Sequence, residues 1–525
     1  MLEIPQRTFG EALLRSALRF PEKTAIISRG KAYSYEEFLL AAERLACHLV
    51  TQGIQRGDRV AIMMHNSWQA AVSIYAVSLA GAVFLAVNVQ TKAGKLNYIL
   101  NDSGAVALLS ESILSGELEA ALSPGTRVNL LILSGKKTKV SQTQPFKIFS
   151  FERIVDNRSI VFPLPKVIPN DLAALIYTSG STGFPKGVMM THQSMVFASW
   201  SLIEYLRLDP EDRIMLMLPV AFDYGLYQLI MSVTLGATLI VELSFTFQAS
   251  IYESVRKNLP TVFPGVPTIY AMMIASNKES GITFPCVRRV TNTAAALPRE
   301  FIPSLKKIFP EALIFPMYGL TECKRVCYLE PELVDSKPGS VGKAIPGTEV
   351  YLLSPDGTPV PAGQPGILHV RGPHVMLGYW HQEELSKEML KPGELPGERI
   401  LCTNDWFIMD EDGFLYFQGR NDDIIKTRGE KVSPVEVENA IYQLEEVREA
   451  AVIGVPDVLL GEAIVAFVSI NPGKVLAESN ILRICQSRLE LFMVPSVIHL
   501  LDELPKSGNG KIDKLALKKL WNATP

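Results

Sequence analysis

Residues Leu172 to Gly187 read LAALIYTSGSTGFPKG, an apolar run that opens into three glycines, four Ser or Thr hydroxyls and one lysine. Backbone of this kind at the end of a buried strand turns its N–H groups and hydroxyls toward a single anion, and Lys186 adds a point charge for the outer phosphates. The stretch reads as a phosphate-gripping loop with a nucleoside triphosphate as its ligand. It is not a GxxxxGK[ST] P-loop, because Gly187 follows Lys186 where that motif needs a hydroxyl residue. A flexible linker would not follow a buried strand with Pro185 and Lys186 in register.

Outward from this loop, apolar runs of strand length alternate with helical patterns: Arg59 to Met63, Val83 to Val87, Ala105 to Leu109, Asn129 to Leu133, Arg213 to Leu218, Thr238 to Val241 and Leu313 to Phe315. Such alternation predicts doubly wound parallel sheets covered by helices. After about Val341 the chain turns Gly/Pro-rich, with a hairpin turn at Asp356-Gly357, which predicts a small antiparallel subdomain. The order helix (Val435 to Gln443), strand (Val447 to Val455), strand (Glu462 to Ile470), helix (Ala477 to Leu489) predicts a last α+β domain. The expected division is a large domain over 1–420 and a small mobile domain over 421–525.

The chain has 525 residues, too many for one core, and 48% apolar composition; at least two globular domains follow. A formal charge of −3 supplies no field for nucleic acid or an anionic membrane, so a small-molecule partner is expected. Cys47, Cys286, Cys323, Cys327, Cys402 and Cys485 form no CxxC pair, which predicts reduced thiols and a cytoplasmic protein. Glu3 and Arg7 precede any apolar run, against a secretory signal. Ala70 to Val89 has no charge and the length of a membrane span, but Gly81 predicts a helix ending near Leu79 and a buried strand after it.

Four further segments lie downstream: MYGLTE at Met317 to Glu322, TNDWFIMDEDG at Thr403 to Gly413, QGRNDDIIKTRGEKVSPVEVE at Gln418 to Glu438, and LPKSGNGKI at Leu504 to Ile512. With the phosphate loop ahead of them, the chain resembles the adenylate-forming superfamily: AMP-forming acyl-CoA synthetases, peptide-synthetase adenylation domains and luciferases. The resemblance spans nearly the whole chain.

It implies a role for each matching residue. Thr178, Ser179, Gly180, Ser181, Thr182, Gly183 and Lys186 would hold the β and γ phosphates of ATP and steer pyrophosphate out. Thr321 would contact the α-phosphate or the substrate carboxylate, and Glu322 would bind Mg²⁺, a hard cation suited to carboxylate oxygen. Tyr318 and Gly319 would lie at the adenine, with Ala294 and Ala295 on its other side. Asp405 would accept both ribose hydroxyls, supported by Arg420. Lys511 would stabilise the charge that develops between carboxylate and α-phosphate, and Asp422 would be the hinge between two half-reactions.

No carrier domain follows Lys511, so the resemblance implies a thiol from outside: coenzyme A, or the phosphopantetheine of a carrier protein. The Ser433-Pro434 form of the KVSPVEVE segment matches the coenzyme A ligases. For the acid, the candidate pocket is Asp223, Tyr224, Tyr227, Met317 and Arg325, which suggests a small or medium polar acid. Asp223 either holds a substrate ammonium, as in amino-acid-activating relatives, or caps the following helix. Arg325 either pairs with a second substrate carboxylate or points to solvent.

Overall fold

The computed structural model describes residues 6–122, 125–135, 146–157, 163–178, 185–293, 295–420, 423–427, 430–457, 460–489, 491–508 and 510–523. The chain divides into two compact units. One comprises Met1–Val262, Thr321–Lys324 and Gly372–Leu401; the other comprises Phe263–Leu320, Arg325–Arg371 and Cys402–Pro525.

In the first unit a seven-stranded sheet has the order Lys147–Ser150, Leu130–Ser134, Ala107–Glu111, Arg59–Met63, Val83–Ala86, Leu172–Thr178, Lys186–Thr191. Every neighbouring pair is parallel except the last. Strands such as Val83–Ala86 are buried along their whole length, which is why they read as unbroken apolar runs. The helix Trp68–Leu79 starts on a Ser67 side chain that accepts from the Ala70 N–H. Gly81, at φ +71°, ends it, and an added Cβ there would meet Pro165 at 2.9 Å. The uncharged stretch is therefore a buried helix and strand, and among the described residues no helix is long and apolar enough to cross a membrane. A second set of strands in this unit runs Arg213–Leu216, Thr238–Val241, Thr24–Ser28, Lys31–Ser34, with the last pair antiparallel.

In the second unit Arg289–Asn292 and Leu313–Tyr318 are parallel, followed by antiparallel Cys327–Tyr328 and Lys343–Ala344. Antiparallel pairing also joins Glu349–Leu353 to Pro365–Arg371 and Arg399–Met409 to Leu415–Arg420. The expected hairpin turn is present, with Gly357 at φ +87°. The last part is α+β: helix Pro434–Ile441, antiparallel strands Val447–Asp457 and Gly461–Ile470, helix Glu478–Arg488, and strand Val497–Leu500 parallel to Gly461–Ile470. Ser433 is the N-cap of its helix and Pro434 the first helical residue, so the Ser-Pro pair is also a helix-start signal.

Candidate active site

The strands Leu172–Thr178 and Lys186–Thr191 pair with Thr178 opposite Lys186. The two strands on either side of the phosphate loop are thus paired antiparallel. Ser179, Gly180, Ser181, Thr182 and Gly183 lie outside the described residues. This strand pair is tied down: the Tyr177 hydroxyl donates to Asp102 Oδ2 at 2.5 Å, and Trp380 Nε1 donates to the Asp102 carbonyl at 3.0 Å. Burial and the Asp102 carboxylate push the Tyr177 phenol far above its ordinary range. Gly187 sits between Tyr177 and Trp380, where an added Cβ would meet them at 3.1 and 3.3 Å.

Lys186 and Glu322 are linked through a residue that the sequence reading missed. The Lys186 ammonium stands 5.5 Å from the centre of the Tyr379 ring, and the Tyr379 hydroxyl donates to Glu322 Oε1 at 2.6 Å. The Glu322 carbonyl accepts from the Met376 N–H at 2.8 Å, so Met376–Tyr379 holds both ends of Glu322. Thr321 is half-buried beside it in sequence, and its carbonyl accepts from Lys324 Nζ at 3.3 Å. The signal for Tyr379 was a lone Gly-Tyr-Trp at 378–380, which periodicity cannot separate from ordinary packing aromatics.

In the second unit Tyr318 closes the strand Leu313–Tyr318, and its hydroxyl donates to Asp405 Oδ2 at 2.5 Å. Its ring packs on Phe407 and Phe417, at 4.8 and 6.0 Å between centroids. Asp405 is opposite Arg420 in the strand register, with Arg420 Nε 3.8 Å from Oδ1. The structure therefore brings Tyr318, Asp405 and Arg420 together: a carboxylate buried to 5% exposure between a phenol and a guanidinium. Both carboxylate oxygens already have a neighbour, so a ribose would share them. Asn292 Nδ2 donates to the Ala295 carbonyl at 3.0 Å, fixing the turn in which Ala295 is exposed; Ala294 lies outside the described residues. Gly319, next along the chain from Tyr318, is half-buried.

On the acid side, Asp223 is neither free for an ammonium nor the helix cap. The helix is Asp223–Leu235 with Phe222 at the N-cap, which puts Asp223 in the first turn, where a carboxylate is favoured by the helix dipole. Its Oδ1 lies 3.0 Å from Lys324 Nζ, and the Lys324 side chain is 1% exposed. Lys324 also adopts φ +68°, unusual for a residue with a Cβ. The resident cation is the physical reason against the amino-acid reading. Arg325 does not point to solvent: it is buried at 3% exposure, and Met317, Tyr224 and Tyr227 are buried as well. The Tyr227 hydroxyl donates to the Met195 carbonyl at 3.5 Å.

Lys511 lies in a tight loop where Lys506 bridges Ile512 and the Ser507 N–H donates to the Lys511 carbonyl at 2.7 Å. Gly510, at φ +76°, makes the turn, and its carbonyl accepts from Thr268 Oγ1 at 3.0 Å. Asp422 lies outside the described residues.

Known proteins match over nearly the whole length of the chain. The AMP-binding enzyme family profile matches residues 13–380, and that of the AMP-binding enzyme C-terminal domain matches residues 436–511. The long-chain-fatty-acid–CoA ligase of Bacillus subtilis (strain 168) is 31% identical, covering 97% of this chain and 94% of that protein. The feruloyl-CoA synthase of an Amycolatopsis species is 31% identical, covering 95% and 96%. Among solved structures, an anthranilate CoA ligase in complex with anthranoyl-AMP superposes with a TM-score of 0.90 at 26% identity, covering 99% of each chain. The chain belongs to the AMP-binding enzyme family, within the adenylate-forming superfamily.

Proposed function

We propose that Lys186, Glu322, Asp405 and Lys511 perform AMP-forming ligation of a carboxylic acid to coenzyme A in this chain. The reaction is an acid–thiol ligation in two steps. A carboxylate oxygen attacks the α-phosphorus of ATP, giving acyl-AMP and pyrophosphate; the coenzyme A sulfur then attacks the acyl carbon, AMP leaves, and the thiol proton is released. Loading of an amino acid onto a carrier protein is set aside, because the relatives are CoA ligases and Asp223 already faces Lys324.

The observation that carries the residue roles is the Tyr318–Asp405–Arg420 cluster, a buried carboxylate with a flanking cation and aromatic ring. Asp405 binds the ribose hydroxyls and Tyr318 abuts the base, with Gly319 and Ala295 beside it. Lys186 and residues Thr178 to Gly183 hold the outer phosphates, and Thr321 positions the carboxylate against the α-phosphate. Among the described residues no group of three or more His, Cys, Asp or Glu side chains could hold a metal. Glu322, a carboxylate oriented by the Tyr379 hydroxyl, is the residue that would hold Mg²⁺, a hard cation suited to oxygen donors. That ion would neutralise phosphate charge as the bond to pyrophosphate breaks. The small domain from 421 onward turns at Asp422 and carries Lys511 to the carboxylate for the first step, in the cytoplasm.

The acid is proposed to be compact and polar, since the Asp223–Lys324 pair and buried Arg325 sit in the candidate pocket segments. Pyrophosphate release with anthranilate, ferulate, palmitate and glycine, with and without coenzyme A, tests this; palmitate as best substrate overturns the compact-acid reading. Lys511→Ala tests the mechanism: adenylation falls by about a hundredfold or more while ATP binding persists. Full adenylation by that variant overturns the role of Lys511.

A further inference from the structure

The turn Arg299–Phe301 follows Ala295 after three residues and reaches the last part of the chain. Glu300 Oε1 accepts from Arg299 Nε at 2.9 Å and also from the side-chain amide of Gln443, just beyond the helix Pro434–Ile441. The neighbouring residues repeat the contact: Phe301 meets Tyr442 edge to face, with centroids 5.6 Å apart. A cavity of about 240 Å³ opens beside it, lined by Leu297, Pro316, Val334, Pro338 and Gln443 among others. Thr268, on the helix Pro267–Ser280, holds the carbonyl of Gly510, the residue before Lys511.

The Glu300–Gln443 contact has the energetics of a joint that opens. Glu300 Oε2 is buried and has no hydrogen-bond partner among the described residues. Arg299 and Gln443 both donate to Oε1, so the desolvation of Oε2 costs free energy that these contacts offset only in part. The adjoining cavity leaves the surfaces loosely packed, so separating them forfeits little dispersion. The cation on Glu300, Arg299, belongs to its own turn, so the link to Gln443 is a charge-to-neutral hydrogen bond that can part without separating an ion pair.

We infer that Glu300 and Gln443 are positioning residues, a latch that docks the small domain so that the Gly510–Lys511 loop is presented for adenylation and that releases for thioester formation. This rests on the reading above in which the small domain delivers Lys511 and then turns. The latch also lies on the same short segment as Ala295, so the loop assigned to adenine and the docking contact are mechanically continuous.

The test separates the two half-reactions in the full-length protein. Gln443→Glu sets two carboxylates against each other, a juxtaposition that like-charge repulsion opposes. Exchange of radiolabelled pyrophosphate into ATP, with the best acid of the panel, should fall about tenfold or more. Thioester formation from supplied acyl-AMP and coenzyme A should change less than about twofold, which also shows that the variant is folded. Adding Glu300→Gln reverses donor and acceptor and should restore exchange to within about threefold of the parent. Unchanged exchange in Gln443→Glu, equal loss in both half-reactions, or failure of the swap to restore exchange overturns the latch. Lys511→Ala is run alongside: full exchange in that variant sinks the delivery reading, whereas loss there with unchanged exchange in Gln443→Glu sinks only the latch.

Discussion

The Tyr379 hydroxyl donates to Glu322 Oε1 at 2.6 Å while its ring stands 5.5 Å from the Lys186 ammonium. One phenol thus orients the carboxylate assigned to Mg²⁺ and borders the lysine assigned to phosphate. Tyr379→Phe keeps the ring and removes a hydrogen bond to a charged group, a contact worth about 1.5–3 kcal/mol. Adenylation should drop by about tenfold, with more Mg²⁺ needed for half-maximal rate. A magnesium titration of pyrophosphate release checks this; an unchanged midpoint and rate would show that Glu322 needs no such support.

Asp405→Asn should act on nucleotide affinity before chemistry. The neutral amide accepts on one atom only, and it loses the charge that faces Arg420 at 3.8 Å. The KM for ATP should rise by about tenfold with a smaller change in kcat, because ribose contacts exist equally in ground and transition states. A kcat loss at unchanged KM would place Asp405 in the chemical step instead.

Breaking the Asp223–Lys324 pair should be costly to the fold. Lys324→Met strands a carboxylate that is largely buried, and such losses run to about 3–5 kcal/mol. The double variant Lys324→Met with Asp223→Leu should recover a large part of that loss, since two apolar groups replace a desolvated pair. Urea unfolding of the two singles and the double measures the coupling. Coupling near zero would mean that the two side chains are solvated independently. Asp223→Asn should not discriminate between glycine and simple acids, because the carboxylate is committed to Lys324.

His192 provides an acid-sensitive element. It opens the helix His192–Tyr205, its Nδ1 accepts from the Phe9 N–H at 3.1 Å, and burial pushes its pKa down to about 4. The unfolded chain binds the proton near pH 6.5, so between those values the unfolded state holds more protons and stability falls as the pH drops. The contribution is complete above about pH 6.5 and declines toward pH 4, by about 2 kcal/mol between pH 7 and pH 5. His192→Gln removes the titrating group, so its stability should decline less than the parent's over that range. Equal slopes in chemical denaturation at pH 7 and pH 5 would contradict this.

Much of the fold was legible because buried parallel strands are apolar along their whole length. Arg59–Met63 and Thr238–Val241 begin and end where the apolar runs do. Lys186–Thr191 does not read as a strand in the sequence, since Lys186-Gly187 at its start looks like loop and its structure comes from register with Leu172–Thr178. Motif order brought Tyr318, Asp405 and Arg420 into view together, although they lie on three different strands and no local pattern states their contact. Lys324 and Tyr379 escaped notice for a related reason. A buried lysine at positive φ is defined only by the carboxylate it meets, and a tyrosine after a single glycine only by the hydroxyl's partner.

The strand Lys186–Thr191 is last in the order of its seven-stranded sheet, yet its outer side is not open. Met189 donates to the Gly378 carbonyl at 3.0 Å, Leu377 to the Met189 carbonyl at 3.0 Å, and Trp380 to the Gly187 carbonyl at 2.8 Å. A row of unpaired backbone groups at a sheet border is a template on which another polypeptide can add a strand. The Leu377–Trp380 segment occupies that template from within the same chain, so the segment that places Tyr379 beside Glu322 also shields this border from self-association. Substitutions that loosen it would therefore be expected to lower solubility as well as activity.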